Sequence, residues 1–372
     1  MKENTTVFTA KPRYELLDGL RGVAALMVIW YHIFEGFATS PLDQKFNHGY
    51  LAVDFFFILS GFVIGYAYDD RWTKMTTGQF FKRRLIRLHP MVILGAIFGT
   101  AAFLIQGGVQ WNGAEVATGS IIVSLILGIL LLPCFPGGYG EVRGNGEMFP
   151  LNGPSWSLFF EYIGNIMYAL FLRRLPTKWL RAFVIASGLG YASFALLNGS
   201  GAYHMGVGWT MADHNFIGGF LRLSFSFSAG LLMSRGFNPV QIKGAFWICS
   251  AMIIGLLSVP YLGSEANWLN GLYDCICTLL IFPVIVYLAA SGKVTGKVSE
   301  KVCTFLGETS YPLYIIHYPI MYLFYAWLWK NGLSFSQTWP VALAIFIGAP
   351  VLAYACLKLY DEPVRKWLDK RL

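Results

Sequence analysis

Arg21 and His32 stand eleven residues apart in one apolar run, LDGLRGVAALMVIWYH, which ends at His32. At 3.6 residues per turn this is almost three turns, so both lie on one helical face, about 16 Å apart along the axis. Asp18 joins the same stripe. Ionisable groups in hydrocarbon are costly and usually functional. Histidine titrates near neutral pH, and a neighbouring carboxylate can orient it and raise its basicity. The pair also reads as a snorkelling arginine and a packed histidine.

Other polar residues sit in comparable places. GYLAVDFFFILSGF (49–62) puts Asp54 near the depth of His32, as a histidine partner or as the partner of a helix end; Ser60 lies further along the same run. NGPSWSLFFEYIGNIMY (152–168) brings Glu161 to a similar depth, with Trp156 nearby. These make a three-helix cluster of His32, Asp54 and Glu161 the leading catalytic hypothesis. FFKRRLIRLHP (80–90) carries Arg84 and Arg87 three apart, hence on one face. Paired guanidinium groups suit phosphate oxygens, and a basic cluster at a membrane interface equally suits lipid headgroups. GETSYPLYIIHYPI (307–320) adds His317, as a packing residue or a site residue, among tyrosines. Asp18, Ser60, Trp156, Arg222 and His317 are read as cavity lining, with Asp213 and His214 as weaker companions of Arg222.

All of these need membrane helices to hold them. Of 372 residues 56% are hydrophobic and only 13% charged, about half the charge of a soluble domain. Apolar stretches fall near 18–38, 49–68, 90–106, 119–133, 155–172, 182–198, 213–233, 244–262, 268–290, 311–329 and 340–360. Residues 1–15 are polar, and no small-residue cleavage site follows, so no signal peptide is expected. Lys and Arg gather in the N-terminal tail, 71–87, 173–181, 235–243, 293–301 and the C-terminal tail. Ten crossings put every one of those segments in the cytoplasm, as the positive-inside rule requires, whereas eleven do not. The stretch 119–133 is therefore expected to be a short re-entrant or surface segment. The expected fold is an all-α polytopic bundle of about ten transmembrane helices, one integral-membrane domain over 1–372, with cytoplasmic tails at 1–15 and 361–372. Topology explains the net charge of +8, so nucleic acid is not expected as a partner. The six cysteines have neither metal-type nor disulfide-framework spacing.

Arginines near the cytoplasmic face and a histidine–carboxylate cluster towards the other suit a long donor with a phosphorylated head and a reactive tail. Acyl-coenzyme A is such a molecule. The motifs LDGLRGVAALMVIWYH, GYLAVDFFFILSGF, RRLIRLHP, PSWSLFFE, SYPLYIIH and DEPVRKWL, in this order over 16–368, resemble the bacterial membrane-bound acyltransferase family three. The resemblance implies about ten helices in the bacterial inner membrane. It also implies acyl transfer, commonly acetyl, from cytoplasmic acyl-CoA to hydroxyls of extracytoplasmic or lipid-linked glycans. It carries the family's essential residues onto Arg21 and His32, its Arg-x-x-Arg pair onto Arg84 and Arg87, and its acidic positions onto Asp54 and Glu161. No counterpart of the fused extracytoplasmic domain of some members is expected.

The expected roles follow. Arg84, Arg87 and Arg21 bind acyl-CoA, and His32 acts as general base or acyl carrier, supported by Asp54 or Glu161. The expected partners are acyl-CoA, a glycan or lipid-linked saccharide and membrane lipids, with no metal. The rival reading is a transporter or flippase that uses the same residues as a proton relay.

Overall fold

The computed structural model describes residues 11, 13–240 and 242–371. Lys2 and the rest of the tail 1–10 lie outside them. Each of the eleven apolar stretches is helical. In chain order these are α1 (Glu15–Glu35), α2 (Ala52–Tyr68, entered through a 3-10 turn at His48–Leu51), α3 (Thr77–Ile105), α4 (Thr118–Leu130), α5 (Ser155–Leu170), α6 (Thr177–Leu196), α7 (Asp213–Arg235) and α8 (Ala245–Leu257). Then come α9 (Leu269–Cys275), continued by a π-helical turn into α10 (Phe282–Ser291), α11 (Lys297–Asn331), and α12 (Phe335–Cys356), continued by a second π-helical turn into α13 (Glu362–Arg371).

Among the described residues, seven segments are long and apolar enough to cross a membrane. α4 and α8, at 13 residues each, rise only about 20 Å against a hydrocarbon core of about 30 Å. α4 stops where Leu131 takes a left-handed conformation (φ 53°). The third segment starts earlier than its apolar run, at a capping box in which Thr76 and Gln79 satisfy each other's backbone N–H groups. Peripheral helices leave large apolar side chains uncovered, among them Leu189, Ile347 and Val351, at 59–65% exposure. Surface of that kind fits hydrocarbon rather than water. The chain is a polytopic helical membrane protein.

Two glycine-mediated contacts set the registers that matter. α1 and α11 run parallel: Gly19 meets Cys303 and Gly22 meets Leu306, where a Cβ would collide. Ten residues beyond Gly22 on α1, and eleven beyond Leu306 on α11, His32 faces His317. α2 and α7 also close onto each other's backbone, Gly61 against the Phe227 carbonyl and Gly230 against the Ile58 carbonyl. A Gly61→Ala protein is expected to lose about 1–3 kcal/mol, the cost of overpacking a tight contact. Thermal unfolding in detergent beside wild type measures it.

Candidate active site

His32 lies in the last turn of α1, and its carboxylate partner in space is Glu35 rather than Asp54 or Glu161. Its Nδ1 is 2.7 Å from Oε2 of Glu35, one turn on. The Tyr325 hydroxyl on α11 donates to the His32 carbonyl at 2.6 Å and to the same Glu35 oxygen at 3.0 Å. A carboxylate only accepts, so Nδ1 carries the hydrogen of that bond. The imidazole is clamped by the stacked ring of His317 (centroids 5.4 Å) and the edge of Tyr318 (4.7 Å). His317 is fully buried, with Nδ1 on the Leu313 carbonyl at 3.1 Å and, among the described residues, no partner for Nε2.

Asp54 belongs to a different cluster. Arg222 grips it with Nε at 3.1–3.2 Å and Nη2 at 2.7 Å, and both side chains are fully buried. The remaining Arg222 donors go to the Val207 and Tyr50 carbonyls, and the guanidinium lies over the Trp156 ring. The close α2–α7 contact puts the arginine beside the aspartate. Arg222 thus lines no open cavity, and Asp213 and His214 are exposed at the start of α7. A second buried carboxylate, Asp274, adjoins this cluster through the Tyr50 hydroxyl, the Met205 N–H and His48. Every charge there has a local structural partner.

Glu161 is taken up by Arg84, whose Nη2 is 2.8 Å from Oε1, and by the Ser60 hydroxyl at 3.1 Å. Arg84 and Arg87 therefore do not form one exposed fork. Arg84 is buried against α5 while Arg87 is exposed. Arg21 pairs within its own helix with Asp18 at 2.9 Å.

α11 links the arginine level to the histidine level. Tyr311, Tyr314, Tyr318, Tyr322 and Tyr325 recur at spacings of three and four, forming one stripe. Tyr311 donates to the Leu88 carbonyl on α3, one residue past Arg87, and Tyr314 bonds Ser157 on α5 at 2.7 Å. At the other end Tyr322 donates to Glu147 in the segment joining α4 and α5. Arg143 of that segment is buried over the Tyr322 ring, with Nη1 on Gln106 and Nε on the Pro150 carbonyl. Burial holds the Glu147 carboxyl above its ordinary range, although Arg143 opposes the shift.

Sequence reasoning missed Glu35, Tyr325, Arg143 and Glu147. Glu35 was within reach of spacing alone, since i and i+3 share a helix face. The other three depend on interhelical register or an irregular segment and give no local signal.

A polar site of this kind inside a helical membrane domain has relatives. The acyltransferase domain of family three matches residues 14–358, nearly the whole chain, and the protein belongs to that family. It is 25% identical to the acyltransferase MdmB of Streptomyces mycarofaciens over 96% of this chain and 93% of that one. Protein 2 in the picA locus of Rhizobium radiobacter is 34% identical over 45% of this chain and 86% of its own length. A Staphylococcus aureus protein named as an O-acetyltransferase is 26% identical over 82% of this chain, which spans 50% of that protein's length. No solved structure matches.

Proposed function

We propose that this membrane O-acyltransferase takes an acyl group, acetyl by preference, from cytoplasmic acyl-CoA and passes it to a hydroxyl of an extracytoplasmic or lipid-linked glycan in the bacterial inner membrane. The observation that carries the reading is the His32–Glu35 pair. Its imidazole turns Nδ1 to the carboxylate and is held between two rings, one stripe of tyrosines away from buried Arg84 and exposed Arg87.

In this reading the basic end of the bundle is cytoplasmic, with about ten crossings, and donor phosphates meet Arg87 and Arg84 there. Arg21 steers the pantetheine arm inward along α1. His32 Nε2 removes the acceptor hydroxyl proton as the oxygen attacks the thioester carbonyl. The imidazolium, stabilised by Glu35, then returns that proton to the departing thiolate, so the C–S bond breaks, the C–O bond forms and free CoA leaves. Glu161 holds Arg84 and does not support His32. Asp54 ties α2 to α7 through Arg222.

Calorimetric titration of acetyl-CoA into the purified protein in nanodiscs tests the donor assignment. Wild type is expected to bind in the micromolar range and Arg87→Ala about tenfold or more weakly, the loss of a charge-assisted contact. Absence of binding by folded wild type, with acetyl and succinyl donors both tried, defeats the reading and favours a transporter.

A further inference from the structure

The motif DEPVRKWL takes no part in the steps above. Asp361 ends the π-helical turn Leu357–Asp361 and is buried at 1% exposure, and Arg365 reaches back one turn to it at 2.8 Å. Such π-turns recur at functional sites. The ion pair is made at one point only. Nη2 of Arg365 meets Oδ2 of Asp361, whereas Arg365 Nε and Asp361 Oδ1 are buried with no hydrogen-bond partner among the described residues. A guanidinium and a carboxylate can join through two bonds, so here one donor and one acceptor stay unused.

Arg84 repeats the pattern. Its Nη2 is on Glu161, it is only 8% exposed, and its Nε is buried and unpartnered. α13 packs against α3, and Arg87 lies within electrostatic reach of both Arg84 and Asp361. Three guanidinium groups and two carboxylates therefore share one region. Among the described residues Arg87 makes no ion pair, and the other two arginines are each held by a carboxylate through a single bond. Buried N–H groups without acceptors are costly, and phosphate oxygens supply such acceptors.

We propose that Arg365 is a third phosphate-binding residue of the donor site, and that Asp361 is a stand-in anion that holds its guanidinium until a donor phosphate takes it. The C-terminal helix then closes the donor site, opposite α3. This rests on the acyl-CoA reading above.

The test compares acetyl-CoA with phosphate-free acetyl-pantetheine, titrated into full-length protein in nanodiscs. Arg365→Gln is expected to weaken acetyl-CoA binding about 10- to 100-fold and to leave acetyl-pantetheine within about twofold, the pattern of one lost charge-assisted bond. Asp361→Asn is expected to tighten acetyl-CoA binding, because the competing charge is gone, and it decides the matter alone if Arg365→Gln does not fold. Unchanged acetyl-CoA binding by Arg365→Gln, an equal loss for both donors, or weaker binding by Asp361→Asn overturns the assignment. So does an Arg365 effect that follows anionic lipid in the nanodisc rather than phosphate on the donor. Failure of wild type to bind acetyl-CoA fells the donor reading and this assignment together. Indifference of the variants alone, with wild type binding, fells only the role of Arg365.

Discussion

His32→Ala protein is expected to bind acetyl-CoA as wild type does and to transfer acetyl about 10²- to 10⁴-fold more slowly, the range for a lost general base. Binding is expected to be spared because the arginines proposed to meet the donor head are separate from the imidazole. Arg21, the nearest on the same helix, stands about 16 Å away along the axis and is paired with Asp18. Folding is also spared in large part, since the close α1–α11 contact runs through Gly19 and Gly22 rather than through His32. Single-turnover release of free CoA, beside a binding titration on the same preparation, separates the two effects. An equal loss of binding and turnover would assign His32 to donor recognition instead.

Removal of Arg222 has the largest expected effect on stability. Asp54 would be left fully buried, in a low-dielectric interior, with no counterion. Breaking one side of a buried pair typically costs about 3–5 kcal/mol, whereas replacing both sides with apolar groups costs far less. Arg222→Leu is therefore expected to unfold well below wild type, and the double variant Asp54→Leu/Arg222→Leu to recover much of the loss. Thermal unfolding in nanodiscs measures both. A double variant as unstable as the single one would mean that the carbonyl contacts of Arg222 to Val207 and Tyr50, rather than the pair, hold α2 to α7.

These two outcomes separate residues that looked alike in the sequence. His32, Asp54 and Glu161 sit at similar depths in three apolar stretches, and depth is what hydrophobic patterning reports. Patterning does not report which way each side chain faces across the bundle. That is fixed by register, and register here depends on glycines. Gly22 seats α11 so that His32 meets His317 and Tyr325, while the Gly61 and Gly230 contacts seat α7 so that Asp54 meets Arg222. The spacing of Arg84 and Arg87 placed them near one another. It left open that a 60° step around the helix takes one into the protein and leaves the other outside.

The architecture was more legible than the site. Every apolar stretch is a helix, because an unbroken hydrophobic run of this length has few other ways to satisfy its backbone in lipid. The short length of 119–133 also showed in the pattern, and α4 is correspondingly short. The run at 244–262 read as a crossing, yet its helix stops at Leu257, where Ser258 and Pro260 follow. Proline removes a backbone donor and disfavours helix in the residue before it. Glu35 stood in plain view, three residues past His32.

In the proposed reaction the His32–Glu35 pair does the chemistry. CoA release from acetyl-CoA in the presence of membrane glycan acceptor, measured for wild type, His32→Ala, Glu35→Gln and the double variant, tests it most directly. Each single variant is expected to slow release and the double variant to be no slower than His32→Ala, as for two groups acting as one unit. Normal turnover by Glu35→Gln, or losses that multiply in the double variant, would contradict it.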